Sequence, residues 1–214
     1  MNTTSRPAAP RRLPPEERER SIVHAAIDLA SESGLEALTV RAVAARVGVT
    51  PALVAHYRPV MDAFVAEVFT AIVSAERDEV IASYDPALDL RTNLLRLIET
   101  LLDDARDDVA MVWAQSWAIG VRNETLAARV RSEMDGWQSA LEDLIARAIA
   151  EDPRLRVDPA SSAWMLLAMV DGMSAHSLVG WAPHDRAALA RRTLAAVLDA
   201  PADDHPASVA VTES

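Results

Sequence analysis

Apolar residues recur every three or four positions along almost the whole chain, a period that belongs to helices and not to strands. The clearest stretch is Leu38–Phe64, LTVRAVAARVGVTPALVAHYRPVMDAF. Val40, Val43, Ala44 and Val47 share one helical face. Thr39 precedes them as a cap for free N–H groups, and Gly48 follows where a left-handed residue ends a helix. Thr50-Pro51 then opens a second short helix, with a capping hydroxyl and a proline at the first helical position. Helices this short are not stable alone, so the pair must lean on flanking helices. Their layout is that of a helix-turn-helix, whose second helix enters the DNA major groove.

Turn signals divide the remaining pattern. The first helix covers about 16–33, with Ile22, Ala26 and Leu29 inward and Gly34 as its stop. A fourth starts near Pro59 and runs through Phe64, Val68, Phe69 and Ile72 to about Ser83. Asp85-Pro86 reads as the cap of a fifth, which ends near Asp104, and a sixth spans about 107–121. Asn123 caps a long seventh that stops before Asp152-Pro153; Asp158-Pro159 opens an eighth to Gly180, and Pro183 a ninth to about Leu198. The expected fold is all-α, with nine helices in two parts divided inside the fourth.

Composition changes this picture only where charge is concerned. The net charge of −11 looks wrong for a nucleic-acid binder. Residues 1–60, however, carry eight arginines against six acidic residues, whereas the rest carries 13 against 26. A mildly basic head on an acidic body presents one end to DNA. All 21 basic residues are arginine, which a GC-rich genome explains more simply than phosphate recognition does. With no cysteine, disulfides and thiolate metal sites are excluded, and a reducing cytoplasm fits. The first fifteen residues lack the apolar run of a signal peptide and read as a disordered arm; 200–214 reads as a disordered tail. Ala160–Val179 is long and apolar, but Asp171, His176 and four serines within it favour a buried or interfacial helix over a membrane span.

Catalysis finds little support. Asp171, Ser174 and His176 are too compressed along one helix to form a triad, and the histidines show no metal-ligand spacing. Neither a metal nor a cofactor is expected.

The chain resembles the TetR family of transcriptional regulators along nearly all its length. The resemblance rests on an alanine-rich first helix ending in Ser33-Gly34, then Leu38-Thr39-Val40-Arg41, Ala44, Gly48-Val49-Thr50 and His56-Tyr57. The C-terminal part is similar to a BetI-type ligand-binding domain through Val112-Trp113, Trp117, Arg122-Asn123-Glu124-Thr125-Leu126 and Met169-Val170-Asp171-Gly172-Met173. The implied organisation is a DNA-binding domain at 16–62 and a ligand-binding and dimerisation domain at 63–199. The implied function is a homodimeric cytoplasmic regulator, a repressor released from a palindromic operator by a small-molecule effector. A regulator without an effector, controlled by abundance or a protein partner, is the alternative. The family's helix-4 lysine is replaced by Met61, its capping serine by Val60, its helix-3 tyrosine by Ala55 and a nearby aromatic by Arg58. Arg58 is expected to supply the missing cation; different docking of this corner is the other possibility.

Residue by residue, Thr39, Thr50 and Tyr57 are candidates for phosphate contacts, which set register without reading sequence. Pro51, Ala52, Ala55 and His56 would face the groove, the alanine methyls against thymine methyl groups. Arg41, Arg46 and Arg58 are the candidate cations. Trp113 and Trp117 share a helical face, and with Trp137 and Met169 they are expected to border an effector cavity; core packing is the plain alternative for each. Met111, Met134, Met165 and Met173 are further possible lining residues. An apolar or aromatic metabolite is the expected ligand, because no acidic residue is evident on the inner faces. Helical spacing of Ala163, Leu167, Val170 and Ser174 on the eighth helix, with Leu194 and Val197 on the ninth, is expected to form the dimer interface.

Overall fold

The computed structural model describes residues 13–151, 157–181 and 185–198. The arm through residue 12, the Asp152-Pro153 stop, the Pro183 start and the tail from 200 lie outside the described residues.

Among the described residues the chain forms nine α-helices: α1 (Pro15–Ser33), α2 (Val40–Val47), α3 (Pro51–Tyr57), α4 (Met61–Ala82), α5 (Leu90–Leu101), α6 (Asp107–Gly120), α7 (Glu124–Glu151), α8 (Pro159–Ser177) and α9 (Arg186–Leu198). Two single 3-10 turns, Leu35–Ala37 and Asp104–Arg106, escape the periodicity because three residues are too few to show one.

Most boundaries carry the expected chemistry. The Thr39 hydroxyl oxygen accepts from the Ala42 N–H at 3.1 Å and that of Thr50 from the Leu53 N–H at 3.3 Å. Gly48 takes the left-handed conformation at φ 74°. Asn123 and Asp158 cap α7 and α8 by accepting from Leu126 and Ser161. The start of α5 differs from expectation. Asp85 stabilises a preceding turn by accepting from Ala87, and the helix begins later, where Asp89 accepts from the Thr92 N–H at 2.9 Å. Both aspartates suit a cap, and local sequence does not rank them. Asn93 decides, donating back to the Asp85 and Leu88 carbonyls and so holding the turn closed.

Two apolar clusters form the core. One gathers Ile22, Ala26, Val43, Val54, Phe64 and Phe69 from α1–α4 and extends to Val112 of α6 and Leu126 and Val130 of α7. The other joins α5, α7, α8 and α9 around Leu94, Ile98, Leu141, Ile145, Leu166 and Leu194. α4 contributes Phe64, Phe69 and Val73 to the first and Val80 to the second, so one unbroken helix links both. A second link is made through α6. The Glu36 N–H donates to Gln115 Oε1 at 3.2 Å. Beside it Gly34 has φ 80°, and a Cβ there would sit 2.3 Å from the same oxygen. Only glycine permits both that backbone conformation and the close approach.

Candidate functional sites: a reading surface and an internal cavity

α3 presents Pro51, Ala52, Ala55 and His56 to solvent, while Val54 is fully buried and Leu53 partly so. The proline and two alanines leave a low surface that can approach a groove closely. Tyr57 is half-buried, with its ring edge-on to His56 at 5.4 Å. Thr39 and Thr50 are exposed, and their oxygens already accept cap bonds, so each hydroxyl hydrogen remains available to a phosphate.

The three candidate arginines differ. Arg41 is exposed and enters no ion pair among the described residues. Arg46 is held by a bidentate contact to Glu32, at 2.6 and 2.5 Å, with Asp28 nearby. Arg58 departs from expectation. Its guanidinium reaches Glu19 of α1 at 2.6 Å and Glu67 of α4 at 3.0 Å, lies 5.3 Å from the Phe64 ring centre, and leaves only 15% of the side chain exposed. It ties three helices together instead of offering charge to a phosphate. The start of α4 has no side-chain cap, and Val60 stands exposed beside Asp62 in the first turn.

In the other half, a cavity of about 60 Å³ lies between α4, α6, α7 and α8. On the same scale one water takes about 10–15 Å³. Trp113, Trp117 and Trp137 line it as expected. Phe69 stacks edge-on against Trp113 at 5.2 Å, and the Trp113 and Trp117 rings are 6.1 Å apart, so the wall is braced from behind. Met134 also lines it, but Met169 does not; it packs instead against the second core cluster. Leu167 and Val170 take its place, since the helical turn that brings them inward carries Met169 off the cavity.

The expectation of an interior without acids is overturned, because Glu76 and Asp171 both line the cavity. Glu76 is only 8% exposed and pairs with Arg106 at 3.3 Å; Arg106 also reaches Glu79 at 3.3 Å. Burial raises the Glu76 carboxyl above its ordinary range, opposed by the charge and hydrogen bonding of Arg106 and by hydrogen bonding from Trp113. Asp171 has no cationic partner among the described residues. Burial, and then the Glu76 charge, push it up to about 6. A signal for both was present: Glu76 continues the apolar stripe of Ile72, Val73 and Val80, and Asp171 is the one acidic residue of its helix.

The residues expected at a dimer interface all turn inward. Ala163, Val170, Leu194 and Val197 are buried within the protomer, and Leu167 and Ser174 line the cavity. Helical spacing identified an apolar face of α8, but α8 has two. The outer one shows Trp164 at 67% and Met165 at 42% exposed, with Ala168 beside them. Among the described residues no cluster of three or more histidines or acids is arranged to hold a metal, and no helix is long and apolar enough to cross a membrane.

Residues 22–68 match the family of bacterial regulatory proteins of the tetR type, and residues 90–200 match the C-terminal domain of BetI-type transcriptional repressors. No curated protein matches the sequence. Solved structures share the fold at low identity. A Rhodococcus sp. regulator is 21% identical with a TM-score of 0.71, covering 86% of this chain and 99% of its own. A Saccharomonospora viridis regulator in complex with choline is 22% identical with a TM-score of 0.72, covering 86% and 96%. The multidrug binding protein EbrR, complexed with proflavin, is 21% identical with a TM-score of 0.62, covering 84% and 99%. With both halves matching in order on one nine-helix frame, the chain belongs to the TetR family of transcriptional regulators and carries a BetI-type C-terminal domain.

Proposed function

We propose that this DNA-binding regulator is a repressor that grips a palindromic operator as a homodimer and lets go when a small molecule fills the tryptophan cavity. The observation that carries this reading is the double connection between cavity and head. α4 begins beside the reading helix and carries Glu76 into the cavity wall. α6 places Trp113 and Trp117 on the cavity and Gln115 against the Gly34–Glu36 turn. An occupant that shifts either helix shifts the head. For regulation it must prefer the non-binding arrangement; a hundredfold preference supplies about 2.7 kcal/mol. Two fold neighbours, one in complex with choline and one complexed with proflavin, support a small-molecule ligand.

The reading surface comprises Thr39, Arg41, Thr50, Pro51, Ala52, Ala55, His56 and Tyr57, with Arg46 at its margin. A two-fold pair would meet half-sites roughly 34–36 Å apart. The outer face of α8, with Trp164, Met165 and Ala168, is the surface a second copy would cover, because an exposed apolar patch of this kind favours association. The protein would act on the chromosome, in the cytoplasm.

Selection of genomic fragments with purified protein yields the operator, and a small-molecule screen by tryptophan fluorescence and thermal shift yields ligands. A ligand that binds and releases the operator is the expected result. Ligands that bind with no change in operator affinity would leave control to abundance or a protein partner. A monomer at micromolar concentration in sedimentation would rule out the dimer.

A further inference from the structure

The geometry points to an organic monocation as the occupant of the tryptophan cavity, its positive charge seated by Asp171 and Glu76 and its apolar body against Trp113, Trp117 and Trp137. This deepens the effector reading above and rests on it.

Charge inside the cavity is unbalanced. It has two carboxylates, from α4 and α8, and one arginine, Arg106. That arginine is engaged by Glu76 and, outside the cavity, by Glu79. Its charge is already divided, so it is poorly placed to neutralise Asp171 or to receive an anion. An anionic ligand would add a third negative group to the enclosure. A neutral apolar ligand would displace water from Asp171 and offer nothing in return. A monocation removes the imbalance, and the indole faces attract it as well.

A recess adjoins the cavity, and its own lining is balanced, two aspartates against two arginines. Of about 20 Å³, it shares Leu101, Arg106, Ala110 and Ser174 with the cavity and adds Asp103 and Asp107, with Arg186 as the further cation. Arg186 is itself tied to Asp104 and donates to the Leu102 carbonyl at 2.7 Å.

Asp171 also couples binding to protons. The charged groups around it are Glu76 from α4 and Arg106 from the turn before α6, with Asp108 of α6 acting on Glu76. The α7 lining residues, Met134 and Trp137, and Ser174 and Ala175 of α8 bear no charge. A cation favours ionised Asp171, so affinity should rise as pH increases through about 6.

Calorimetry on the full chain tests this with two probes of one shape, phenyltrimethylammonium and its neutral carbon isostere tert-butylbenzene, and with the anion 4-tert-butylbenzoate, which adds a carboxylate to the second. Charge attraction and the indole faces should make the cation bind about tenfold or more tightly than the neutral isostere, and the anion least. D171N, which keeps the shape of the side chain, should abolish most of that preference while leaving the neutral probe's affinity unchanged. Cation affinity should also fall between pH 7.5 and pH 5.5, in the wild type only. Equal or tighter binding of the neutral or anionic probe, a preference that survives D171N, or no binding of the cation would each overturn the proposal. Cation binding without operator release would leave it standing and overturn only the effector reading.

Discussion

The reading surface and the cavity each hold arginines tied to carboxylates, and the group left untied is a cation in the first and a carboxylate in the second. On the reading surface, Arg46 is paired with Glu32 and Arg58 with Glu19 and Glu67, so of the three candidate arginines Arg41 is the one left exposed and outside an ion pair among the described residues. In the body, Arg106 is occupied by Glu76 and Glu79, and the charge left facing the cavity is Asp171. The paired charges at these two places act as ties between helices, and the group left over indicates the partner. A phosphate backbone suits the first, and a cation the second. Counting charges by domain shows which half is acidic, but subtracting the ion pairs shows which group is free to bind.

The comparison is most sharply broken where the two regions meet. Phe69 is fully buried in the head's cluster and braces Trp113 of the cavity wall. Phe69→Ala should cost about 3–5 kcal/mol in chemical unfolding, as one transition if head and body unfold together. Two separated transitions would mean that the shared cluster does not couple them.

Asp171→Asn should act in the opposite direction and stabilise the ligand-free protein. Its folded pKa is raised above the unfolded value, so the native state holds the proton more tightly, and ionisation destabilises the fold as pH rises through about 6. The gain at pH 8 should be on the order of 2 kcal/mol, and should shrink as pH falls towards 5, read as the difference in Tm between variant and wild type. A gain independent of pH would show that Asp171 is not the group responsible.

Thr50→Ala removes the cap of the reading helix and should cost about 1 kcal/mol, with a parallel loss of operator affinity; Thr50→Ser should restore both. Thermal unfolding and a gel-shift titration would check this. Arg58→Ala should likewise cost about 1 kcal/mol through its ties to α1 and α4, yet leave the salt dependence of DNA binding unchanged in slope. Arg41→Ala should be the reverse: less than about 0.5 kcal/mol in stability, but a log–log salt slope shallower by about two in a dimer. If Arg58→Ala flattens the slope and Arg41→Ala does not, the two arginines have been assigned the wrong way round.

The helix-turn-helix was legible in full because its signals are local. Thr39, Gly48 and Thr50-Pro51 satisfy backbone groups within four residues of themselves, so their spacing specifies the geometry directly. The long helices were legible for the same reason, since amphipathic periodicity is a property of one segment. The tertiary structure decided what required knowing the neighbour. Periodicity shows that α8 has an apolar side, but not whether Ala163 and Val170 meet their own chain or a second copy. The destination of Arg58 depended on Glu19, 39 residues away. The cavity's acids emerged only when α4 and α8 were brought together, because a carboxylate on an apolar stripe gains its meaning from what lies opposite. Sequence specifies the contacts a residue makes along its own helix, whereas the charge left over in a site is a sum over several helices that packing alone assembles.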